Sequence, residues 1–114
     1  MPVRKFKPFT IVFVGEKLAG KEVAARYLIK RHNFKGFRFS DILVDLLKRL
    51  HLPATRFNDM NLVGGLRERF GGGVLAQVIK QEIEQGKFKR VVIDGARHPA
   101  ELEILKKLPG FLLI

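Results

Sequence analysis

The chain has 114 residues and no Cys, and hydrophobic residues make up 46% of it. This length allows one domain at most, and the hydrophobic fraction is that of a globular protein rather than a disordered one. The lack of Cys excludes disulfides and thiolate chemistry. No apolar run approaches the length of a membrane span, and no segment resembles a secretory signal. The sequence therefore predicts a cytoplasmic protein without a membrane partner.

The charge of the chain is strongly unbalanced. Lys and Arg number 22 against 11 Asp and Glu, which gives a formal net charge of +11. This balance favours polyanionic partners, either nucleotides or nucleic acid, because basic side chains attract phosphate. The charges are spread along the chain, and a solvated basic surface is an equally good interpretation.

A phosphate-binding loop is predicted near the N-terminus. The apolar run at residues 11–14 predicts a strand buried on both faces, and it stops at Gly15. Gly20 and Lys21 follow at the spacing G-x-x-x-x-G-K and open a helical pattern. Such a loop turns its N–H groups toward phosphate oxygens, and the helix adds its positive N-terminal end. The alternative is a plain strand-to-helix turn. The predicted nucleotide-binding residues are Gly15, Glu16, Lys17, Leu18, Ala19, Gly20, Lys21 and Glu22.

Strands and helices alternate along the rest of the chain. The predicted helices are residues 21–32 (with Val23, Ala24, Tyr27 and Leu28 on the apolar face), 41–50 (capped by Ser40), 58–70 (weakened by Gly64 and Gly65), 74–85 and 99–108. The predicted strands are residues 11–14, 37–39, 90–94 and 111–114. The glycines at 71–73 predict a break, either a flexible connector or an anion-binding nest. This alternation predicts an α/β fold with a parallel sheet and flanking helices.

Polar residues follow three of the predicted strands. Ser40 and Asp41 come after the second strand, and Asp94 and Arg97 after the third. Ligands of open parallel sheets bind beyond the carboxyl ends of the strands, so these residues are expected to share one site with the phosphate loop. Each also has a structural interpretation: Asp94 as a turn residue before Gly, Arg97 as a solvated loop residue, and Asp41 as a helix-start acid.

The motifs resemble one family. IVFVGEKLAGKE, RFSDIL, LRERFG and VVIDGARHPAELEILKKLPGF together resemble the nucleoside and deoxynucleoside monophosphate kinases, including their adenylate kinase, dephospho-coenzyme A kinase and phosphomevalonate kinase relatives. The resemblance implies a P-loop NTPase fold of the nucleoside monophosphate kinase type. It also implies ATP and Mg²⁺ as cofactors, and transfer of the γ-phosphoryl group to a small phosphorylated acceptor such as a nucleoside monophosphate.

The resemblance also implies roles for individual residues. Lys21 would contact the donor phosphates, and Glu22 and Asp94 would organise the magnesium ion. Arg97 would grip the acceptor together with Arg67, while Ser40 and Asp41 would begin the acceptor-binding helix. Lys21, Asp94 and Arg97 are thus the predicted catalytic residues.

Two departures from the family pattern bear on these expectations. Val44 stands where many members carry an Arg that meets the acceptor phosphate, which leaves the acceptor open. The chain ends at Ile114, before the lid and the adenine-contacting segment of such kinases. It resembles their N-terminal two-thirds, so weak activity alone and self-association are expected. The alternatives are a non-catalytic nucleic-acid-binding module and an inactive kinase fragment.

Overall fold

The computed structural model describes residues 8–14 and 19–114, with side chains in the second range from residue 23 onwards. The strands of these ranges are β1 (Phe9–Val14), β2 (Lys35–Arg38), β3 (Arg90–Ala96) and β4 (Phe111–Leu113). The helices are α1 (Ala19–His32), α2 (Phe39–Arg49), α3 (Arg56–Phe70), α4 (Val74–Gly86) and α5 (Pro99–Leu105). No helix in the described part of the chain is long and apolar enough to cross a membrane.

The four strands form one parallel sheet in the order β2-β3-β1-β4. The two central strands, β3 and β1, contain the apolar runs at residues 91–93 and 11–14, and Val12 and Ile93 are fully buried within them. Continuous apolar runs are expected where helices cover both faces of a parallel sheet. The α/β fold with a parallel sheet and flanking helices is therefore confirmed, and it is consistent with a P-loop NTPase-like fold.

The two faces of the sheet carry cores of unequal size. The larger core joins Val12, Val91 and Ile93 to apolar side chains of α2, α4 and α5. The smaller core joins Ile11, Phe13 and Val92 to partly buried side chains of α1 and the segment that follows it, namely Ala25, Leu28 and Phe34. Because α1 alone among the helices contributes to the smaller core, this face is the more thinly covered of the two in the described part of the molecule.

The apolar face predicted for α1 is wrong in part. Val23 is 64% exposed and Tyr27 is 56% exposed, whereas Ala25 and Leu28 pack on the sheet. The apolar residues of α1 are distributed around the helix, so periodicity gives only a weak indication of its orientation. Packing against the sheet buries the side of α1 that carries the small residue Ala25.

The start of α2 also differs from the sequence-based expectation. The helix begins at Phe39, its N-cap is Arg38 in an extended conformation, and no side chain caps it. Ser40 therefore lies in the first turn, exposed, and not at the cap. Phe39 is only 5% exposed, and its burial in the larger core accounts for a helix that starts two residues early.

The glycines at 71–73 form a packed turn between α3 and α4. Gly71 ends α3 with a φ of +102°, and its N–H donates to the Arg67 carbonyl at 2.9 Å. A Cβ at Gly73 would lie 3.2 Å from the Ala100 carbonyl oxygen and would meet Ile104. The absence of side chains thus allows this turn to approach α5 closely, a role that neither interpretation of the sequence included.

Candidate functional site

The carboxyl ends of β1, β2 and β3 meet at one edge of the sheet. Asp94 in β3 is paired with Phe13 of β1 on one side and with Arg38 of β2 on the other. Parallel strands place their carboxyl ends together, and this is the edge where open α/β sheets bind ligands. The pairing brings the last residues of these three strands side by side.

The predicted phosphate loop starts at this edge. Residues 15–18 lie outside the described residues, as do the side chains of residues 19–22. The flanking elements are described: β1 ends at Val14, and α1 begins at Ala19, so Gly20 and Lys21 belong to its first turn. A short connection from a buried strand into a helix N-terminus is the setting that a phosphate loop requires.

A β-bulge at Gly95 shapes the end of β3. Phe13 is paired with Asp94 but Val14 is paired with Ala96, so Gly95 is the extra residue. Its φ of +100° lies in the region that favours glycine. Strict alternation would place Asp94 and Ala96 on the same face. The bulge instead sends Ala96 into the larger core with Ile93, while Asp94 stays at the surface.

Asp94 carries a half-exposed carboxylate. Its Oδ2 lies 3.8 Å from Arg38 Nη2, and the side chains of Asp94 and Arg38 are 34% and 47% exposed. Arg38 was not among the residues predicted for the site. The sequence contained a signal for it, because in an alternating segment a residue between two buried Phe side chains points to the opposite face. The two residues border a cavity of about 170 Å³, lined by Ala25, Arg26, Ile29, Gly36, Phe37, Arg38, Val92 and Asp94.

The residue at the end of β3 fits a magnesium ion that is bound together with nucleotide phosphates. Such an ion takes one or two protein carboxylates and completes its shell with phosphate oxygens and water. Asp94 supplies a partly exposed carboxylate at the strand end adjacent to β1. Among the side chains that the structure describes, those of residues 8–14 and 23–114, no group of three or more acidic or His residues could hold a metal.

Glu101 is a buried carboxylate that the sequence-based prediction missed. Its side chain is fully buried. Oε1 accepts hydrogen bonds from the backbone N–H groups of Arg97 at 2.9 Å and His98 at 2.8 Å. His98 in turn caps α5, since its Nδ1 accepts from the Ala100 N–H at 3.1 Å. The signal was present in the sequence, because Pro99 followed by Glu101 is typical of the first turn of a helix with a capping box.

Arg67 and Arg97 have different environments. Arg67 Nη2 donates to Glu101 Oε2 at 3.0 Å, so this guanidinium neutralises a buried charge. The side chain of Arg97 is exposed, while its backbone N–H is held by Glu101. The structure therefore ties the loop that carries Arg97 to α3 through Glu101.

Ser40 and Asp41 are exposed in the first turn of α2. Among the described residues, neither of their side chains forms a hydrogen bond or an ion pair. Asp41 is an acidic residue in the first turn of α2, a position that is compatible with both its structural interpretation and a role at a binding site. Both side chains begin the helix directly after Arg38, at the carboxyl edge of the sheet.

The fold and this edge together define an α/β protein with a parallel sheet, of a class compatible with phosphate-loop kinases. No family model matches the chain. It is 32% identical over 100 residues to UPF0200 proteins of Saccharolobus solfataricus and Saccharolobus islandicus, covering 88% of this chain and 52% of each relative. It is 31% identical over 98 residues to a UPF0200 protein of Methanothermobacter thermautotrophicus, covering 84% and 48%. The chain spans about half the length of the curated relatives it matches.

Proposed function

We propose that the protein transfers the γ-phosphoryl group of ATP to a small phosphorylated acceptor, with a nucleoside monophosphate as the favoured class. One observation carries the proposal: the G-x-x-x-x-G-K segment begins in the sequence directly after β1, and the end of β1 is paired with the Asp94 end of β3. A loop of this kind and a carboxylate at the adjacent strand end are the parts needed to bind a nucleotide with its magnesium ion.

Each residue of the edge has a role in the proposed reaction. The backbone N–H groups of residues 15–20 would surround the donor phosphates, and Lys21 would add a positive charge to them. Glu22 and Asp94 would hold the magnesium ion, which would neutralise charge on the phosphates. Arg97 would bind the acceptor phosphate through its exposed guanidinium. Ser40 and Asp41 would contact the acceptor from the start of α2.

The role of Arg67 in this proposal is indirect. Its guanidinium is bonded to Glu101, which also holds the backbone of Arg97. Arg67 would therefore position the Arg97 loop as well as add positive charge near the acceptor. Phosphoryl transfer depends mainly on such positioning and on charge stabilisation, because little covalent chemistry is left for the protein.

Calorimetric titration with magnesium-ATP tests the proposal. Lys21→Ala is expected to weaken binding by about 2 kcal/mol, as does the loss of a charge-assisted hydrogen bond. Lys107→Ala is the matched control, because it removes one exposed cation from the turn after α5. Equal affinities for the protein and its Lys21→Ala variant would rule out the phosphate-loop assignment.

A further inference from the structure

A dense group of cations lies at the amino-terminal edge of the sheet, opposite the candidate site. The end of α1, the start of β2 and the turn from α4 into β3 meet there. Arg90 Nη1 donates to the His32 carbonyl at 3.1 Å, which connects the turn to α1. Lys35 is paired with Val91 in the sheet, directly after Arg90. We call this surface the basic edge; its cations are Lys30, Arg31, Lys35, Lys87, Lys89 and Arg90.

The basic edge contains no acidic residue in its own segments. Neither residues 26–36 nor residues 85–91 include an Asp or a Glu. All of its cations except the partly buried Arg90 are exposed. Cations on neighbouring segments with no acidic residue among them repel one another, and binding of a polyanion would relieve that repulsion.

Helix capping explains only part of this charge. Lys30 and Arg31 are in the last turn of α1, where cations are favourable near the negative helix end. Lys35 and Arg90 belong to the starts of strands instead, and α4 has no basic residue in its last turn. Lys87 is the C-cap of α4, and Lys35 Nζ and Arg90 Cζ lie 5.7 Å and 6.0 Å from the ring centroids of Phe88 and Phe34, so local contacts account for a further part. These contacts do not explain why five of the six cations are exposed at one edge of the sheet.

Two exposed aromatic residues belong to, or are bonded to, the segments of the basic edge. Tyr27 is 56% exposed, and its ring centroid lies 5.3 Å from that of His32. Phe9 is 45% exposed, and its backbone N–H donates to the Lys89 carbonyl at 2.7 Å. Exposed rings beside cations are the arrangement on which unpaired bases stack while the phosphates contact Lys and Arg.

We propose that the basic edge binds single-stranded nucleic acid. Lys and Arg side chains contact the phosphates, and Tyr27 and Phe9 stack on bases. An anionic membrane surface fits less well, because membrane-bound helices present a continuous apolar face, whereas Tyr27 is surrounded in α1 by Arg26, Lys30 and Arg31. The basic edge lies at the opposite end of the strands from Asp94, so its ligand and a nucleotide would occupy separate sites.

Fluorescence anisotropy of labelled oligouridylate and oligothymidylate of about 20 nucleotides, titrated with the full chain at several salt concentrations, tests this proposal. The variant Arg31→Gln/Lys89→Gln removes two exposed cations of the basic edge. Its binding is expected to be roughly tenfold weaker at low salt. Its plot of log K against log salt is expected to be shallower by about 1.4, since each phosphate that is no longer neutralised lowers the slope by about 0.7.

The matched control is Arg56→Gln/Arg69→Gln, which removes two exposed charges from α3. The control is expected to bind with an unchanged salt slope. Tyr27→Leu keeps the side chain apolar and leaves the charge unchanged, and it is expected to lose about fivefold in affinity with no change in slope, since only stacking is removed. Thermal melts of all variants verify that they are folded.

Three results would overturn the proposal. Equal losses in the two double variants would mean that binding follows net charge and not the basic edge. An unchanged affinity in Tyr27→Leu would show that Tyr27 does not stack on a base. Binding to phosphatidylserine vesicles without binding to either oligonucleotide would assign the basic edge to a membrane surface instead.

Discussion

Arg67 Nη2 donates to Glu101 Oε2 at 3.0 Å and thereby joins the last turn of α3 to the first turn of α5. The Glu101 side chain is fully buried, and that of Arg67 is 27% exposed. The other oxygen of Glu101 is occupied by two backbone N–H groups. The carboxylate thus has hydrogen bonds on both oxygens and one cation beside it, the arrangement that allows a charge to be buried.

Replacement of Arg67 is expected to destabilise the fold. Arg67→Met keeps much of the bulk of the side chain but leaves a buried charge without its partner, and we expect a loss of about 3 kcal/mol, at the lower end for such pairs because Arg67 is partly exposed. Urea unfolding measures the free energy. Arg69→Met, the exposed neighbour two residues along α3, is the control and is expected to change it by less than about 0.5 kcal/mol.

A double-variant cycle separates the charge from the packing. Glu101→Gln in the Arg67→Met background removes the unpaired charge, while Gln retains an oxygen for the two N–H donors. It is expected to recover at least about 1 kcal/mol of the loss. If the double variant is no more stable than Arg67→Met alone, the stability lost in Arg67→Met comes from the packing of Arg67 and not from the unpaired charge of Glu101.

Substitution by Ala is expected to have opposite effects on stability at Gly73 and at Gly64. Gly73→Ala introduces a methyl group 3.2 Å from the Ala100 carbonyl oxygen and against Ile104, and it is expected to cost about 1–3 kcal/mol. Gly64→Ala, in the interior of α3 with nothing within 4 Å of the new methyl, is expected to add about 0.5–1 kcal/mol of stability. Thermal unfolding of the two variants measures both. Equal effects would contradict the packed turn at residues 71–73.

Asp94→Asn is expected to weaken the magnesium dependence of nucleotide binding while leaving stability nearly unchanged. Its ion pair with Arg38 is 3.8 Å long and partly exposed, so the unfolding free energy is expected to change by less than about 1 kcal/mol. Titration with ATP at increasing magnesium concentrations is expected to show that the gain in nucleotide affinity from magnesium falls in this variant. The gain is expected to fall further in Glu22→Gln/Asp94→Asn. An unchanged magnesium response in the double variant would leave both residues with structural roles only.

Arg97→Ala is expected to affect the acceptor and not the donor. The backbone bond from Arg97 to Glu101 survives this substitution, so the fold is expected to be retained. Removal of a charge-assisted hydrogen bond is expected to weaken nucleoside monophosphate binding by about tenfold or more while magnesium-ATP affinity is unchanged. Calorimetry with each nucleotide separately measures this. A parallel loss of both affinities would place Arg97 on the donor phosphates.

Most of the secondary structure could be predicted because it follows from local patterns. The run Val91–Val92–Ile93 is buried as its composition indicates, and Ile79 and Ile83 face the core at the helical spacing expected of α4. Once the strands are parallel, their carboxyl ends must meet. The order of residues along the chain therefore also placed Asp94 at the edge where β1 ends, whereas the adjacency of β1 and β3 follows from the strand order of the sheet.

Tertiary structure alone decided the features that depend on distant residues. Arg67 and Glu101 are 34 positions apart, and no local periodicity could pair them. The exposed side of α1, the early start of α2 at Phe39 and the need for glycine at 73 are settled by packing against neighbouring elements. Sequence patterns indicate which residues prefer burial. Which residues pack against one another depends on how all the helices and strands fit together in one close-packed core.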